Sequence, residues 1–190
     1  MIWKIDRDYS EAQKLANGLA ASAQKGATVR AAEMGSPIST EAVVLAVYYS
    51  RVPAILSQYG SQLAGKILVD ITNPLNPTYD DLATPPGSSA AEEIAKIVPT
   101  GTKVIKAFNT TFAGTLVAGQ VAGQSLDVFI AGDDDQAKEK LAQALRASGL
   151  RPIDVGPLRR ARQLEGIGLL HITLQNKLGT NWASTVKILP

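Results

Sequence analysis

The stretch Lys66-Ile-Leu-Val-Asp-Ile-Thr-Asn-Pro-Leu-Asn-Pro77 decides the fold that we expect for this chain. Residues 67–71 form a short apolar run rich in β-branched side chains, which is typical of a strand buried on both faces of a parallel sheet. The run ends at Thr72-Asn73-Pro74, where proline prevents its continuation as a strand or a helix. Because ligands bind at the carboxyl ends of strands in an open parallel sheet, this polar loop is a candidate wall of a binding site.

Strand and helix patterns alternate along the rest of the chain. The continuous apolar run at residues 43–47 predicts a second buried parallel strand. Further strands are predicted at residues 2–5, 27–32, 103–107, 127–131 and 151–155, with a possible terminal edge strand at 186–189. Helices are predicted to begin near Asp8, Val52, Ser89, Asp133 and Arg159. This alternation predicts an α/β fold with a Rossmann-like open parallel sheet and a short C-terminal helical extension.

The sequence Gly132-Asp133-Asp134-Asp135 matches two different local structures. Three consecutive carboxylates would suit a metal ion, but a turn in which Asp133 caps the following helix explains the pattern better. In that helix Lys138 is expected to point toward solvent. We therefore predict no metal site at this turn.

Composition limits the classes of function that need to be considered. The chain has 190 residues, of which 45% are hydrophobic and 19% charged, and its formal net charge is +2. It has no cysteine and a single histidine, His171, which excludes thiolate catalysis and multi-histidine metal sites. The small net charge does not favour nucleic acid as a partner. No apolar stretch approaches the ~20 residues of a membrane span, and we expect a cytoplasmic protein.

Five motifs occur in order: Asp70-Ile-Thr-Asn-Pro-Leu-Asn-Pro77, Ser88-Ser-Ala-Ala-Glu-Glu93, Lys106-Ala-Phe-Asn-Thr110, Gly132-Asp-Asp-Asp135 and Arg151-Pro-Ile-Asp-Val-Gly-Pro-Leu158. Together they resemble the NADP-dependent oxidoreductases typified by the reductase of the deazaflavin coenzyme F420, across nearly the whole chain. The resemblance implies a Rossmann-type domain that transfers a hydride between a nicotinamide and a second carrier or small substrate. It identifies no catalytic acid or base, because in such a reaction the cofactors carry the chemistry and the protein aligns them.

The same resemblance implies positions for the site. On the cofactor side it places Val47, Tyr48, Tyr49, Asn73 and Pro74, with Asp6 and Arg7 near the adenosine. On the substrate side it places Phe108, Asn109 and Thr110. Simpler readings stay open. One tyrosine could be a core residue and the other a surface residue, and Asn73-Pro74 could serve only to make a turn.

The chain departs from the family at its amino-terminal end. Family members begin with a strand, a Gly-x-Gly-x-x-Gly turn that cradles the pyrophosphate, and a helix, whereas residues 2–5 here correspond to the family's second strand. Three explanations stay open for the central place of the absent first strand. Residues 2–5 move beside residues 43–47, a partner chain fills the place, or the sequence is shortened relative to the working protein. We favour the first, and we expect weak or absent dinucleotide binding.

The residues that follow this strand bear on the choice of dinucleotide. The family holds the 2′-phosphate of NADP with a Ser-Arg pair and a lysine, and the matching positions here are Asp6, Arg7 and Glu11. Only Arg7 is kept, and an aspartate at the end of this strand more often receives the ribose hydroxyl of NAD. Asp6 could instead simply cap the next helix. The cofactor is therefore expected to be NADP or NAD.

Two further features have competing explanations. Arg159, Arg160 and Arg162 cluster at the start of a helix, which favours either an anion or partner site or, more simply, a solvated face. His171 lies in an apolar helical pattern and is predicted to be a packed helix residue and not a catalyst.

Two functions from different classes follow from the sequence. The first is an oxidoreductase of the F420-dependent type, with F420 or a flavin as the possible second carrier. The second is a catalytically silent module that binds a small ligand or a partner after losing the phosphate cradle. We expect a homodimer with residues 1–157 as the dinucleotide-binding-type domain and residues 158–190 as a helix and tail of the same compact unit.

Overall fold

The computed structural model of the chain describes residues 2–6, 8–22 and 28–189. It divides into two compact units, Met1–Glu41 and Ala42–Pro190. The strands are β1 (Ile2–Asp6), β2 (Val29–Glu33), β3 (Ala42–Leu45), β4 (Ile67–Asp70), β5 (Lys103–Lys106), β6 (Gln120–Val121), β7 (Gln124–Ser125), β8 (Asp127–Gly132) and β9 (Arg151–Gly156). The α-helices are α1 (Tyr9–Ser22), α2 (Val52–Tyr59), α3 (Ala90–Ile97), α4 (Ala113–Ala118), α5 (Asp135–Ala147) and α6 (Ala161–Leu178).

The first unit is a β-α-β element. Its strands β1 and β2 pair in parallel, with Ile2 opposite Val29 and Asp6 opposite Glu33. The described strand pairs are β1 with β2 and β3 with β4, and the predicted pairing of residues 2–5 with residues 43–47 is not among them. The 14-residue helix α1 is long enough for a crossover, so two strands consecutive in the chain become parallel neighbours.

The second unit contains a five-stranded sheet in the order β3-β4-β5-β8-β9. Strands β3, β4 and β5 are parallel, β8 runs antiparallel to β5, and β9 is parallel to β8. The α/β Rossmann-like class is confirmed, and the sheet is mostly parallel, with one antiparallel pair between β5 and β8. Between β5 and β8 the chain forms only the six-residue helix α4 and the β6–β7 hairpin, and this segment reverses the chain instead of crossing over.

Burial differs between the two strands on which the fold prediction depends. All four residues of β4 are buried, as the sequence predicts. In β3 only Leu45 is buried, and Val44 is 52% exposed, so the prediction that residues 43–47 are fully buried is wrong. Among the described strands, β3 pairs only with β4 and lies at the edge of its sheet. An edge strand has fewer neighbours to cover its side chains.

The helix starts confirm part of the capping predictions. Ser89 is the N-cap of α3, where its side chain accepts a hydrogen bond from the Glu92 amide. In α5 the cap is Asp134 and not Asp133, whose carboxylate instead accepts the amide hydrogen bond of Leu158. The outward position predicted for Lys138 is also wrong, since its side chain is buried and its ammonium lies 2.9 Å from Asp154.

The C-terminal part of the chain is a long helix followed by an irregular tail. The predicted helix over residues 159–177 is confirmed as α6, preceded by the 3₁₀ turn Leu158–Arg160. The predicted strand at residues 186–189 is absent, and this part of the tail instead attaches to the buried carboxylate of Asp127. The Asp127 carboxylate thus takes the Ile188 amide hydrogen bond that a strand would give to a neighbouring backbone carbonyl. None of the helices in the described part of the chain has the length and apolar character that crossing a bilayer requires.

Candidate functional site

A buried ion pair joins the carboxyl ends of β4 and β5. Asp70 and Lys106 are opposite each other in the register of these parallel strands, and both side chains are fully buried. The Lys106 ammonium lies 2.8 Å from the Asp70 carboxylate and 2.5 Å from the carbonyl oxygen of Thr72. Asp70 also accepts the Thr72 amide hydrogen bond at 2.9 Å. The pair therefore fixes the turn that follows β4, which is the loop where the sequence predicts a site wall.

Glu165 completes this cluster from α6. Its carboxylate lies 2.8 Å from the Lys106 ammonium and accepts hydrogen bonds from the Ala90 and Ala91 amides at the start of α3. Burial raises the pKa of the Glu165 carboxyl, and the Lys106 ammonium opposes that rise. One side chain thus links α6, the N-terminus of α3 and the strand ends. The ammonium has three oxygen partners, which satisfies all three of its donors.

Asn73 and Asn109 form a second link between the two strand ends. The Asn73 side-chain amide donates to the Asn109 carbonyl at 2.8 Å, and the Asn109 side-chain amide donates to the Asn73 side-chain oxygen at 2.9 Å. Asn109 also donates to the carbonyl of Leu164 on α6. The structure therefore brings together one residue predicted on the cofactor side and one predicted on the substrate side. Pro74, which follows Asn73, is buried.

Close packing of α6 against this pair requires a glycine. A Cβ atom on Gly168 would lie 2.3 Å from the Asn73 side-chain oxygen and 3.0 Å from the Asn109 side-chain nitrogen. Gly166 lies two residues earlier on the same helix, and a Cβ atom there would have no heavy atom within 4 Å. Gly168 is thus the residue that lets α6 close over the two asparagines.

The substrate-side loop has an unusual backbone. Phe108 adopts a positive φ of 63°, a conformation that bulky residues rarely take. The Asn109 amide then donates to the Ala107 carbonyl, and the Thr111 amide donates to the Phe108 carbonyl. This tight turn directs the Asn109 side chain toward Asn73. Strain of this kind is concentrated at functional sites.

His171 connects that loop to the tail. Its Nδ1 atom lies 3.2 Å from the Thr110 carbonyl and its Nε2 atom 2.8 Å from the Ser184 hydroxyl. Since a carbonyl only accepts, Nδ1 carries the proton and Ser184 donates to Nε2. Burial lowers the pKa of His171, which agrees with a neutral ring. Its ring packs on Phe112 with centroids 4.3 Å apart. The prediction that His171 is a packed helix residue is thus in line with its position.

An apolar cleft of about 610 Å³ lies between the loop after β5 and the tail. Phe112 and Trp182, whose rings meet edge to face, line it together with residues of α4 and of the β6–β7 hairpin. On the tail side, Asn181 and Trp182 both have positive φ angles, of 48° and 62°. Gln175 of α6 holds this segment by accepting the Trp182 amide hydrogen bond. The cleft is thus open to solvent, and two residues of its tail side have a strained backbone.

The other predicted site residues on the cofactor side differ in their exposure to solvent. Tyr48 is 81% exposed, whereas Tyr49 and Val47 are half-buried. Burial, followed by the negative charges of Glu93, Glu165 and Asp70, raises the pKa of the Tyr49 hydroxyl. Asp6 is the last residue of β1 and its side chain is outside the described part. Arg7 lies outside the described residues altogether.

Two buried polar atoms in this region lack partners in the described part of the chain. They are the Thr72 hydroxyl oxygen and the Asn109 side-chain oxygen. Both atoms are buried from solvent, so each is an unsatisfied polar group inside the packed protein, where most buried polar atoms are hydrogen-bonded.

Sequence reasoning missed several residues of this site. Lys106 belongs to a quoted motif but received no role, and Glu165 and Gly168 were not considered. The signal for Gly168 is present in the sequence, since Gly-x-Gly inside an apolar helix costs stability and needs a packing reason. Glu165 left a fainter signal, a lone carboxylate in the apolar pattern of α6.

The fold and the site define the class of protein. Parallel strands β3, β4 and β5, with polar loops at their carboxyl ends, form a Rossmann-type domain of the kind used by NAD(P)-linked oxidoreductases. The model of the family described as NADP oxidoreductase coenzyme F420-dependent matches residues 2–74. The F420-dependent NADP reductase of Methanothermobacter marburgensis is 32% identical over 168 residues, which cover 81% of this chain and 70% of that protein. The chain belongs to the family of F420-dependent NADP oxidoreductases.

Two further comparisons extend this result. A solved structure from Arthrobacter sp. FB24, described as a candidate F420-dependent NADP-reductase, has a TM-score of 0.81 and 28% identity, covering 100% of this chain and 99% of that one. The metalloreductase STEAP3 of Rattus norvegicus is 38% identical over 131 residues, which cover 69% of this chain. The match spans only 25% of STEAP3 and 63% of the F420-dependent NADP reductase of Methanocaldococcus jannaschii.

Proposed function

We propose that the chain transfers a hydride between a nicotinamide cofactor and a second, ring-shaped carrier at the carboxyl ends of β4 and β5. The reciprocal Asn73–Asn109 pair supports this most strongly, because it joins the cofactor-side loop to the substrate-side loop, and the chain after Asn109 reaches the apolar cleft at Phe112. When bound, the nicotinamide supplies or receives the hydride. The protein's part is to hold two rings in contact and keep water away.

The nicotinamide end of the cofactor would be held by the loops after β3 and β4. Val47, Tyr49, Asn73 and Pro74 are the residues that we assign to it. Tyr48 is exposed at the same loop and is a candidate to cover the ring.

NADP is the dinucleotide that we propose, in agreement with the family. The sequence raises an objection, since Glu11 stands where the family has a lysine. In the structure the Glu11 carboxylate lies 2.7 Å from the Lys14 ammonium, so this acidic group has a local counter-charge. Asp6 and Arg7 are proposed to meet the ribose and its phosphate. The sequence has no Gly-x-Gly-x-x-Gly motif, and weak dinucleotide binding stays a prediction.

The apolar cleft is the place that we propose for the second carrier. Its volume of about 610 Å³ lies within the range of ~300–1,000 Å³ that is usual for small-molecule sites. Phe112 and Trp182 offer aromatic surface to a planar ring system such as the deazaflavin of F420 or a flavin. The cleft lining begins at Phe112, which follows Phe108, Asn109 and Thr110 closely in the chain. We therefore propose these three as substrate-side residues.

A cytoplasmic homodimer completes the proposal. Three large apolar side chains are exposed on α4 and α6: Val117 at 91%, Leu170 at 58% and Leu178 at 64%. Such residues are candidates for a self-complementary interface, and sedimentation equilibrium of the full chain tests that assembly.

Calorimetric titration of the full chain with NADPH and with NADH tests the cofactor assignment. We expect saturable NADPH binding that is tighter than NADH binding, because the sequence keeps the family's arginine at Arg7 and Lys14 offsets the charge of Glu11. The matched control is Lys14→Gln, which leaves Glu11 unpaired and should reduce the preference for NADPH. Absence of binding at millimolar concentrations of both nucleotides would reject the enzyme and favour the silent ligand-binding module.

A further inference from the structure

The cluster of Asp70, Lys106 and Glu165 contains two carboxylates and one ammonium, and all three side chains are fully buried. Every group that contacts the carboxylates is a donor. Asp70 is bonded by the Thr72 amide and by Lys106, and Glu165 by Lys106 and by two amides at the start of α3. A protonated carboxyl would need an acceptor, so this geometry serves the ionised forms. Burial opposes ionisation of Glu165 and raises its pKa, whereas the Lys106 ammonium and the Ala90 amide favour the ionised form. With both carboxylates ionised, the cluster has an excess of one negative charge.

The other charged side chains of α3 and of the start of α6 do not cancel that excess. The nearby charged side chains of α3 and α6 are paired with each other, Glu92 with Arg162 and Glu93 with Lys96, each at 2.6 Å. The N-terminus of the eight-residue helix α3 contributes at most about half a positive charge at Glu165. A net negative charge of a fraction of one unit therefore remains inside the protein.

The excess charge lies directly behind the proposed nicotinamide wall. Lys106 bonds the Thr72 carbonyl, so the cluster touches the loop of residues 72–74 from within. Its potential extends to the loop after β3. There the charges of Glu93, Glu165 and Asp70 add to burial in raising the pKa of the half-buried Tyr49 hydroxyl. Both loops assigned to the nicotinamide thus experience the same sign of charge.

We propose that the buried excess charge of Asp70 and Glu165 makes this site bind the oxidised nicotinamide, whose ring is cationic, more tightly than the neutral reduced nicotinamide. The inference rests on the function proposed above. Asp70 and Glu165 act through their charge and not through contact with the cofactor. They set the preference of the site for one oxidation state and therefore the direction in which hydride transfer is favoured.

The test compares the dissociation constants of NADP⁺ and NADPH for the full chain and its variants. In Glu165→Gln the ratio of the NADPH constant to the NADP⁺ constant is expected to fall about fivefold, as for one buried charge at an effective dielectric constant of ~20. Asp70→Asn removes a charge from β4 and should shift the ratio in the same direction. Glu165→Asp keeps the charge and should keep the ratio. Glu139→Gln, which removes an exposed carboxylate paired with Arg146, is the surface control.

A second readout needs no cofactor. Spectroscopic titration of the tyrosines, with Tyr49→Phe used to assign the Tyr49 signal, should show a lower Tyr49 pKa in Glu165→Gln than in the wild type. An unchanged pKa together with an unchanged binding ratio would overturn the inference. Equal weakening of both nucleotides in Glu165→Gln and Glu165→Asp would also overturn it, as a sign of a structural role. Failure of the wild type to bind either nucleotide would instead reject the proposed function, and this inference with it.

Discussion

At the scale of single residues, the site depends on how closely α6 approaches two asparagines. Asn73 and Asn109 exchange hydrogen bonds beneath Gly168, where a methyl group would lie 2.3 Å from the Asn73 side-chain oxygen. That distance is too short for any relaxed contact, so the helix or the pair must move. The asparagine pair that links the two loops therefore requires a glycine at position 168 of α6.

Two glycines of α6 give a matched test of this condition. We expect Gly168→Ala to lower the free energy of unfolding by about 1–3 kcal/mol, because the added methyl overpacks the asparagine pair. Gly166→Ala has open space around the new methyl and should raise stability by about 0.5–1 kcal/mol, since alanine favours a helix interior. Urea unfolding of the three proteins measures both changes. Equal effects of the two substitutions would contradict the packing that we describe.

The sequence predicted this part of the site only partly. The family resemblance implied both Asn73 and Asn109 as site residues, and the structure places them in contact. The roles of Lys106 and Glu165 were not predicted. The two residues are 59 positions apart in the sequence, and no local sequence pattern indicates that they pair. The fully buried charges of Asp70 and Lys106 likewise contradict ordinary hydropathy rules, under which a lysine in this position is expected at the surface.

At the scale of elements, the tail is held by one buried carboxylate. Asp127 is bonded by Arg151 at 2.6 Å, by Lys187 at 3.0 Å and by the Ile188 amide at 2.9 Å. Although burial opposes ionisation, these donors lower the pKa of Asp127 from 3.8 to about 2. A single side chain thus anchors the tail to the start of β8, where the sequence had suggested an additional strand.

This anchor should have a defined pH dependence. Because the pKa of Asp127 is lower in the folded state, its contribution to stability is fully present above pH 3.8 and is lost as the pH falls toward about 2. We expect Asp127→Asn to cost about 2 kcal/mol of unfolding free energy at neutral pH and much less near pH 2. Urea unfolding over this pH range measures the difference, with Glu139→Gln as a surface control. A cost independent of pH would exclude the ionised anchor.

The elements differ in how well sequence patterns predict them. Strand β4 and helices α3, α5 and α6 follow from continuous apolar runs, capping residues and helical spacing. The direction of β8 does not, because an isolated apolar run looks the same in either orientation. The β6–β7 hairpin was missed because its turn uses Ala122, at a φ of 51°, where the usual signal is asparagine or glycine.

At the scale of the whole molecule, the family assignment and the fold agree on a Rossmann-type domain. The chain belongs to the F420-dependent NADP oxidoreductases, and the hydrogen bonds of Asn73 and Asn109 join the loops after β4 and β5 at the carboxyl edge of the sheet. The prediction of a central place for β1 assumed a single sheet, whereas the structure describes β1 and β2 as a parallel pair of their own.

The central claim is that hydride passes between a nicotinamide and a second ring at this edge. The most direct test is a single-turnover reaction of the full chain with oxidised F420 and NADPH deuterated at the transferable position. We expect deuterium to appear on the deazaflavin ring, and Gly168→Ala to slow the transfer at least tenfold, as misplacement of the two loops would. Gly166→Ala should leave the rate unchanged. Binding of both compounds by the wild type without any transfer of deuterium would contradict the account.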